Sequence, residues 1–307
     1  MKNKSHKGLR DWPSSHVLGT GTPTCAGCGA LENIKIFCDI LGEKTVFVNA
    51  AGCMTLLTVY PFTPFRGSWL YTAMASAPAG AQGVRDALDL LIRDGRLAPE
   101  EYLAVVVLTG DGTAYGMGLS ATSAAIYRKL DFIYICYDNE GYGNTGYQFS
   151  AATPYAARTA TSKGPRGYRG YKKDLFAIWA AHRPAYVATV IGTEPADLAR
   201  KIEKAKGLRG PRLFIALSPC PTGWQFEPAK TVEIGKLAVK TGIWPLKEYL
   251  DGKVVHTRIP PPRGRRPPVE EYLKRQGRFT HLFSPTRNEE ILKDIQASVD
   301  AYWEGVI

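Results

Sequence analysis

Five short apolar runs constrain the fold of this chain more than any other feature of its sequence. Segments with apolar residues at helical spacing separate the runs. Strands that alternate with helices in this way form a parallel sheet with helices on both faces. We therefore predict an α/β fold built on a mainly parallel sheet. The predicted strands are residues 44–50, 102–110, 131–139, 185–192 and 212–218, and the predicted helices are residues 30–41, 80–95, 119–130, 172–182 and 195–207.

The alternating pattern ends near residue 220. Beyond this point turns and prolines dominate, and helical periodicity returns only near residues 287–303. We predict an α/β domain over residues 1–220 and a C-terminal extension over residues 221–307. The extension is expected to pack on that domain or on a partner subunit.

The charge of the chain indicates the kind of partner that it meets. The net charge is +11, but the lysines and arginines are scattered, and their densest group is residues 258–268. Scattered charge fits a solvated surface or an acidic protein partner, such as an electron carrier, better than it fits nucleic acid.

The chain shows neither a signal peptide nor a stretch of the ~18 apolar residues that span a membrane. We therefore predict a cytoplasmic protein without a membrane partner. In that compartment the six cysteines are expected to be metal ligands or core residues rather than disulfides.

A glycine-rich turn follows the predicted strand 102–110 and contains Gly110, Asp111 and Gly112. Glycines at such a turn let backbone N–H groups approach a phosphate closely. A carboxylate repels phosphate, so Asp111 fits this position when a divalent cation such as Mg²⁺ lies between the two anions. The tripeptide alone also fits an ordinary turn at a strand end.

The next predicted strand ends at a second hard oxygen donor. The side-chain amide of Asn139 follows that strand, and the turn over residues 140–146 offers a free carbonyl. If the two strands are neighbours, Asp111 and Asn139 project from the same edge of the sheet onto one cation. The pair is a more specific signal than either residue alone.

The cysteines fall into two groups. Cys38 lies on the apolar stripe of a predicted helix and Cys136 lies inside a predicted strand, so both are expected in the core. Each of the others lies in a turn beside glycine or proline; they are Cys25, Cys28, Cys53 and Cys220.

Three kinds of site use cysteines in such turns. A redox dithiol needs only Cys25 and Cys28 and leaves Cys53 and Cys220 unexplained. A structural zinc site more often draws on two compact pairs. One CxxC pair with two distant single cysteines fits a [4Fe–4S] cluster on a formed fold, so the residues favour the cluster and leave zinc and plain thiols open.

The sequence resembles a known family at these residues. Gly110–Gly112, then Asn139 and the pentapeptide YGNTG at residues 142–146, resemble the thiamine diphosphate motif of the pyruvate:ferredoxin oxidoreductase family, and more narrowly its β subunits. The resemblance covers roughly residues 20–250. It continues, in order, through ATPYAARTATSKGP (152–165), KKDL (172–175), YVAT (186–189), SPCPTGW (218–224) and AVKTGIWPL (238–246).

The resemblance implies a thiamine diphosphate-binding fold and a set of site residues. Asp111, Asn139 and the carbonyl of Gly141 would hold Mg²⁺ against the diphosphate, with Gly110 and Gly112 at the cofactor. Asn144 would lie near the thiazolium ring and the substrate. The proximal [4Fe–4S] cluster would be ligated by Cys25, Cys28, Cys53 and Cys220.

The resemblance also implies an activity: oxidative decarboxylation of a 2-oxoacid, with electrons passed to the cluster and then to ferredoxin. Coenzyme A normally takes the acyl group, and pyruvate is the favoured substrate. Oxalate, branched-chain and aromatic 2-oxoacids remain open. The rival hypotheses are a non-redox thiamine diphosphate decarboxylase or carboligase, and a zinc-stabilised basic binding protein.

Partner chains follow from what this sequence lacks. Thiamine enzymes use a glutamate to activate the cofactor, and no glutamate here stands in a matching motif. We therefore expect an α subunit that supplies this glutamate and part of the substrate site. Because there is no second cysteine set, further [4Fe–4S] clusters are expected on another subunit or domain.

Overall fold

One sheet organises the part of the chain that the computed structural model describes, which is residue 13 and residues 15–98 and 103–306. Its eight strands are β1 (Thr45–Ala50), β2 (Ser68–Thr72), β3 (Ala104–Gly110), β4 (Phe132–Asp138), β5 (Tyr186–Ile191), β6 (Pro211–Leu217), β7 (Leu246–Leu250) and β8 (Lys253–Arg258). Their order across the sheet is β2-β1-β3-β4-β6-β5-β7-β8. The first six are parallel, whereas β7 pairs antiparallel with β5 and β8 pairs antiparallel with β7.

Helices cover both faces of this sheet. They are α1 (Gly29–Leu41), α2 (Ala77–Arg93), α3 (Leu119–Tyr127), α4 (Leu175–Ala181), α5 (Pro195–Lys206), α6 (Pro221–Trp224), α7 (Thr231–Lys240), α8 (Glu270–Leu273) and α9 (Glu289–Glu304). Apolar residues of α1 and α5 pack on one face, and those of α2, α3, α4, α7 and α9 pack on the other. Within the described ranges, no helix is both long enough and apolar enough to cross a bilayer.

The mainly parallel α/β sheet with helices on both faces is confirmed. The five predicted strands are found as β1, β3, β4, β5 and β6, and the five predicted helices as α1 to α5. Residue 102, with which one predicted strand begins, and most of the first 15 residues lie outside the described residues.

Three strands were not predicted, and neither were the helices α6, α7 and α8. The edge strand β2 lies in a segment rich in aromatic residues, and its sequence lacks the alternation of apolar and polar residues that marks a half-buried strand. The short β7 and β8 lie in the C-terminal extension, where β8 is largely exposed and carries no apolar period. Strands of this kind are recognised by pairing with a neighbour rather than by their own sequence.

Residues after 220 complete the core over one face of the sheet. Trp224, Tyr272, Phe279 and Trp303 are all buried and share a cluster with residues of β3, β4 and β6. The indole N–H of Trp303 in α9 donates to the carbonyl of Gly242 at 2.9 Å. The last helix is thereby tied to the turn that precedes β7.

Replacing Trp303 by alanine is expected to lower the free energy of unfolding by about 3–5 kcal/mol, because a fully buried indole leaves a cavity. Urea unfolding of the apo chain, followed by far-UV circular dichroism, measures the change. Glu304→Ala removes an exposed neighbour that pairs only at the surface with Arg263, and should shift the free energy by less than about 0.5 kcal/mol. Equal stabilities for the two variants would contradict this role of α9.

Candidate active site

The carboxyl ends of β3 and β4 bring the predicted metal ligands together. The two strands are neighbours in register, with Gly110 opposite Tyr137. Asp111 follows β3 and is fully buried, and Asn139 follows β4 and is 5% exposed. Both side chains therefore leave the same edge of the sheet.

Three oxygen-bearing groups meet at this edge. One terminal atom of the Asn139 amide lies 2.8 Å from Asp111 Oδ1 and 2.8 Å from the carbonyl oxygen of Gly141. If this atom is the amide nitrogen, it donates two hydrogen bonds. If it is the amide oxygen, three oxygens face one another without a proton between them, as ligands of a cation do.

The second arrangement fits a divalent cation. Neighbouring oxygens around an octahedral Mg²⁺ lie about 3.0 Å apart, since each Mg–O bond is about 2.1 Å. The same orientation turns Asn139 Nδ2 toward the sulfur of Cys53, at 3.9 Å. Each end of the amide then faces a partner of suitable chemistry.

The surroundings of Asp111 disfavour its negative charge, which a bound cation would neutralise. Burial raises the pKa of its carboxyl well above the ordinary value, and the neighbouring Asp138 carboxylate adds to the shift. The hydroxyl of Ser150 donates to Asp111 Oδ2, and the N–H of Ala152 donates to that hydroxyl at 3.1 Å. Oδ1 is thereby left to face Asn139 and Gly141.

The turn after Asp111 combines a closely packed glycine with an unpartnered buried hydroxyl. Residues Gly112–Met117 form a turn of π-helix, a form often found at functional sites. The ring of Tyr142 lies so close to Gly112 that a Cβ there would clash with it. Thr113 Oγ1 is buried and has no hydrogen-bond partner among the described residues.

The four cysteines of the turns line one cavity of about 630 Å³, together with Asn139 and Asn144. Burial raises the pKa of Cys53 to about 12, with further contributions from Cys220, Cys28 and Cys25. Burial also raises the pKa of Cys220 to about 11. These thiols must lose protons to bind iron or zinc, so metal binding here releases protons.

The turns that carry the cysteines pack directly on one another. The N–H of Gly29 donates to the carbonyl of Pro219 at 3.0 Å. Gly27 has a φ of +68°, and a Cβ there would lie 2.5 Å from the carbonyl oxygen of Pro228. Side chains other than hydrogen are therefore excluded at this point of the CxxC turn.

The four cysteines line this cavity without forming a metal-binding group. Among the described residues, no three His, Cys, Asp or Glu side chains are placed so that they could hold a metal ion.

An ion network lies behind residues 139–141. The ammonium of Lys172 lies 2.7 Å from Asp138 Oδ2 and 2.9 Å from Glu140 Oε1. The guanidinium of Arg278 lies 2.6 Å from Glu140 Oε2. Burial alone would raise the pKa of Glu140, but Lys172 and Arg278 outweigh it and the pKa is lowered.

The structure places the predicted site residues at this edge or around the adjoining cysteine cavity, and sequence analysis missed the residues that support them. Asn144 is exposed and faces the cysteine cavity. Ser150 and Arg278 lie outside the quoted segments of the family resemblance, and Lys172 and Trp224 lie inside two of them without having been assigned a role. Only the folded chain brings them behind Asp111 and Asn139.

Comparisons with known proteins identify a matching family model and several relatives. Residues 50–216 match the family model "Thiamine pyrophosphate enzyme, C-terminal TPP binding domain". The chain is 43% identical over 295 residues to pyruvate synthase subunit PorB of Methanothermobacter thermautotrophicus, covering 94% of this chain and 96% of that protein. It is 36% identical over 296 residues to ketoisovalerate oxidoreductase subunit VorB of Pyrococcus abyssi, covering 95% of this chain and 93% of that protein.

A solved structure shares the fold. The 2-oxoglutarate:ferredoxin oxidoreductase from Magnetococcus marinus, with 2-oxoglutarate, coenzyme A and succinyl-CoA bound, matches with a TM-score of 0.56 and 23% identity. The match covers 72% of this chain and 71% of that chain.

Proposed function

This chain belongs to the β subunits of the 2-oxoacid:ferredoxin oxidoreductases, and from that premise we propose that it carries thiamine diphosphate, Mg²⁺ and a [4Fe–4S] cluster in a pyruvate-oxidising enzyme. In such an enzyme the bound thiamine diphosphate supplies the electron sink for decarboxylation of the 2-oxoacid, and the cluster takes up the electrons. The protein's part is to bind and orient these groups.

One observation carries the proposal: the oxygen donors and the cysteines share the side chain of Asn139. The amide faces Asp111 and Gly141 at one end and the sulfur of Cys53 at the other. A non-redox thiamine enzyme needs only the oxygen donors, and a zinc-stabilised binding protein needs only the cysteines. An enzyme that passes electrons from thiamine to a cluster needs both, side by side.

Asp111, Asn139 and the carbonyl of Gly141 would hold Mg²⁺, and the turn that follows Asp111 would bind the diphosphate. Gly112 has no room for a side chain because the ring of Tyr142 packs against it, and the unpartnered hydroxyl of Thr113 is available to donate to the phosphates. Mg²⁺ bound through a few protein oxygens plus phosphates is the usual arrangement.

Cys25, Cys28, Cys53 and Cys220 would ligate the cluster. Their backbone surroundings suit sulfur, since the N–H of Gly223 donates to Cys220 Sγ at 3.3 Å. Hydrogen bonds to ligand sulfur are one of the factors that set the potential of a cluster.

The substrate is proposed to enter the cavity that the cysteines line. Asn144 faces this cavity and is the residue we propose to contact the substrate. Arg158 and Lys163 also line it and give it positive charge, which suits a carboxylate. The names of several relatives favour pyruvate as the substrate, and the name of one relative favours a branched-chain 2-oxoacid. The matched solved structure, which has coenzyme A bound, favours coenzyme A as the acyl acceptor.

Other chains are needed to complete the site. No glutamate is among the described residues that line the cysteine cavity, so we propose that an α subunit supplies the activating glutamate. Tyr60, Phe62 and Tyr71 are 90%, 66% and 55% exposed near the edge strand β2, and suit contact with a partner. Further [4Fe–4S] clusters would lie on another subunit or domain, before ferredoxin.

The proposal is tested on the native complex, isolated anaerobically through a tag on this chain. We expect thiamine diphosphate, about four irons bound by this chain, and pyruvate-dependent reduction of a viologen that requires coenzyme A. The chain alone should bind cofactor without turnover. A panel of pyruvate, oxalate, branched-chain and aromatic 2-oxoacids, each with and without coenzyme A, identifies the substrate.

Two outcomes would overturn the proposal. A colourless, zinc-containing and thiamine-free protein would indicate a zinc-stabilised binding protein. A complex that contains thiamine but releases CO₂ without reducing any acceptor would indicate a non-redox decarboxylase or carboligase.

A further inference from the structure

Arg278 is a fully buried arginine of the C-terminal extension, and the mechanism proposed above does not use it. It lies in a short 3₁₀-helix, Gly277–Leu282. Its Nη2 lies 2.6 Å from Glu140 Oε2, its Nη1 donates to the hydroxyl of Tyr147 at 2.9 Å, and its Nε donates to Gln276 Oε1 at 2.9 Å. A buried charge with this many partners fixes the groups around it.

One side of the guanidinium holds the loop of the proposed magnesium ligands. Glu140 stands between Asn139 and Gly141 and has a φ of +65°, which side chains rarely adopt. Tyr147, which accepts from Arg278, donates to the carbonyl of Asn139 at 3.3 Å. Arg278 therefore contacts this loop both directly and through Tyr147.

The other side of the guanidinium holds the turn of Cys220. The Arg278 guanidinium lies over the ring of Trp224, 4.0 Å from its centre. Trp224 ends the short helix that begins directly after Cys220, and its indole N–H donates to the carbonyl of Asn139 at 2.9 Å. The guanidinium thus lies between the cysteine turn and the oxygen-donor loop.

We propose that Arg278 is a positioning residue that sets the cluster ligand Cys220 and the magnesium ligands Asn139 and Gly141 in one fixed arrangement, and that its charge tunes the cluster. The inference rests on the proposed function. Two effects follow from it. The planar fork of Arg278 determines the geometry of the loop, and its positive charge makes the cluster easier to reduce.

Arg278→Lys and Arg278→Met separate these effects in the purified complex. Lysine keeps the positive charge but lacks the planar guanidinium and its fixed set of hydrogen-bond donors. We expect it to weaken Mg²⁺-dependent binding of thiamine diphosphate about tenfold, with a cluster potential close to that of the wild type. Methionine lacks both the positive charge and the hydrogen-bond donors. We therefore also expect the cluster's redox equilibrium to shift about tenfold toward the oxidised form, a change of 59 mV for one electron.

Binding is measured by isothermal titration calorimetry, and the potential by an EPR-monitored redox titration. The matched control is Arg266, a buried arginine of the same extension that pairs with Asp300 and contacts neither loop. Arg266→Met is expected to lower the unfolding temperature while leaving the cofactor affinity and the cluster potential unchanged.

A folded Arg278→Met complex with wild-type affinity and potential would overturn the inference and leave the proposed function standing. If Arg278→Met does not fold, Arg278→Lys decides: wild-type affinity for thiamine diphosphate would overturn the positioning role. If Arg266→Met shifts both quantities equally, the effect belongs to the stability of the extension and the inference fails. A wild-type complex without thiamine or cluster would overturn the inference and the proposed function together.

Discussion

Replacing Cys53 by alanine is expected to disrupt the proposed iron–sulfur cluster and abolish reduction of ferredoxin, while Mg²⁺-dependent binding of thiamine diphosphate persists. The iron content of the chain should fall below about four atoms, because one iron of the cluster loses its thiolate ligand. Asp111 and the carbonyl of Gly141 are untouched by this change. Iron analysis with visible absorption, a ferredoxin-reduction assay of the complex and calorimetric titration of the cofactor measure the three quantities.

Two other cysteines of the same chain serve as controls. Cys38 in α1 and Cys136 in β4 are fully buried in the core, and burial, with a neighbouring aspartate, raises the pKa of each thiol. Cys38→Ala and Cys136→Ala should lower stability modestly and keep the full iron content. Full iron in Cys53→Ala, or iron loss in both controls, would contradict the assignment of the four ligands.

Replacing Asp111 by asparagine is expected to weaken Mg²⁺-dependent binding of thiamine diphosphate by more than about 100-fold, since loss of an outer partner alone costs 10–100-fold. The variant should also make the apo chain more stable, because Asp111 is buried beside Asp138 and burial opposes its charge. Calorimetric titration and urea unfolding measure the two changes. Wild-type affinity in this variant would show that Asp111 is not a metal ligand.

Ser150→Ala tests the same metal site by a smaller change. It leaves the carboxylate in place and removes the hydroxyl that donates to Asp111 Oδ2, so the loss of affinity should be about 10–100-fold. Asp131→Asn is the matched control for charge, because Asp131 pairs with Arg212 at the opposite end of the strands. It should change stability without changing cofactor binding.

The sequence predicted the fold and the family correctly because both depend on local patterns. Apolar runs and helical spacing located β1, β3, β4, β5 and β6, since a strand buried on both faces needs a continuous apolar run. β7 and β8 carry no such run, and they form because β5 offers an open edge for pairing.

The assignment of individual site residues remains a prediction that the variants above test. Its strongest part came from a simple rule, that the carboxyl ends of neighbouring parallel strands meet at one edge of the sheet. That rule placed Asp111 beside Asn139. No comparable rule places the side chains that lie behind this edge.

By itself, the sequence determined the parallel α/β sheet, the pairing of an aspartate and an asparagine at one edge, and the four cysteines in glycine- and proline-rich turns. Only the tertiary structure decided which groups support them. Ser150 reaches Asp111 across 39 positions of sequence, and Arg278 reaches Glu140 across 138. Such contacts follow from packing of the whole chain, because a buried polar group takes whichever partner the fold brings to it, and no local pattern records that partner.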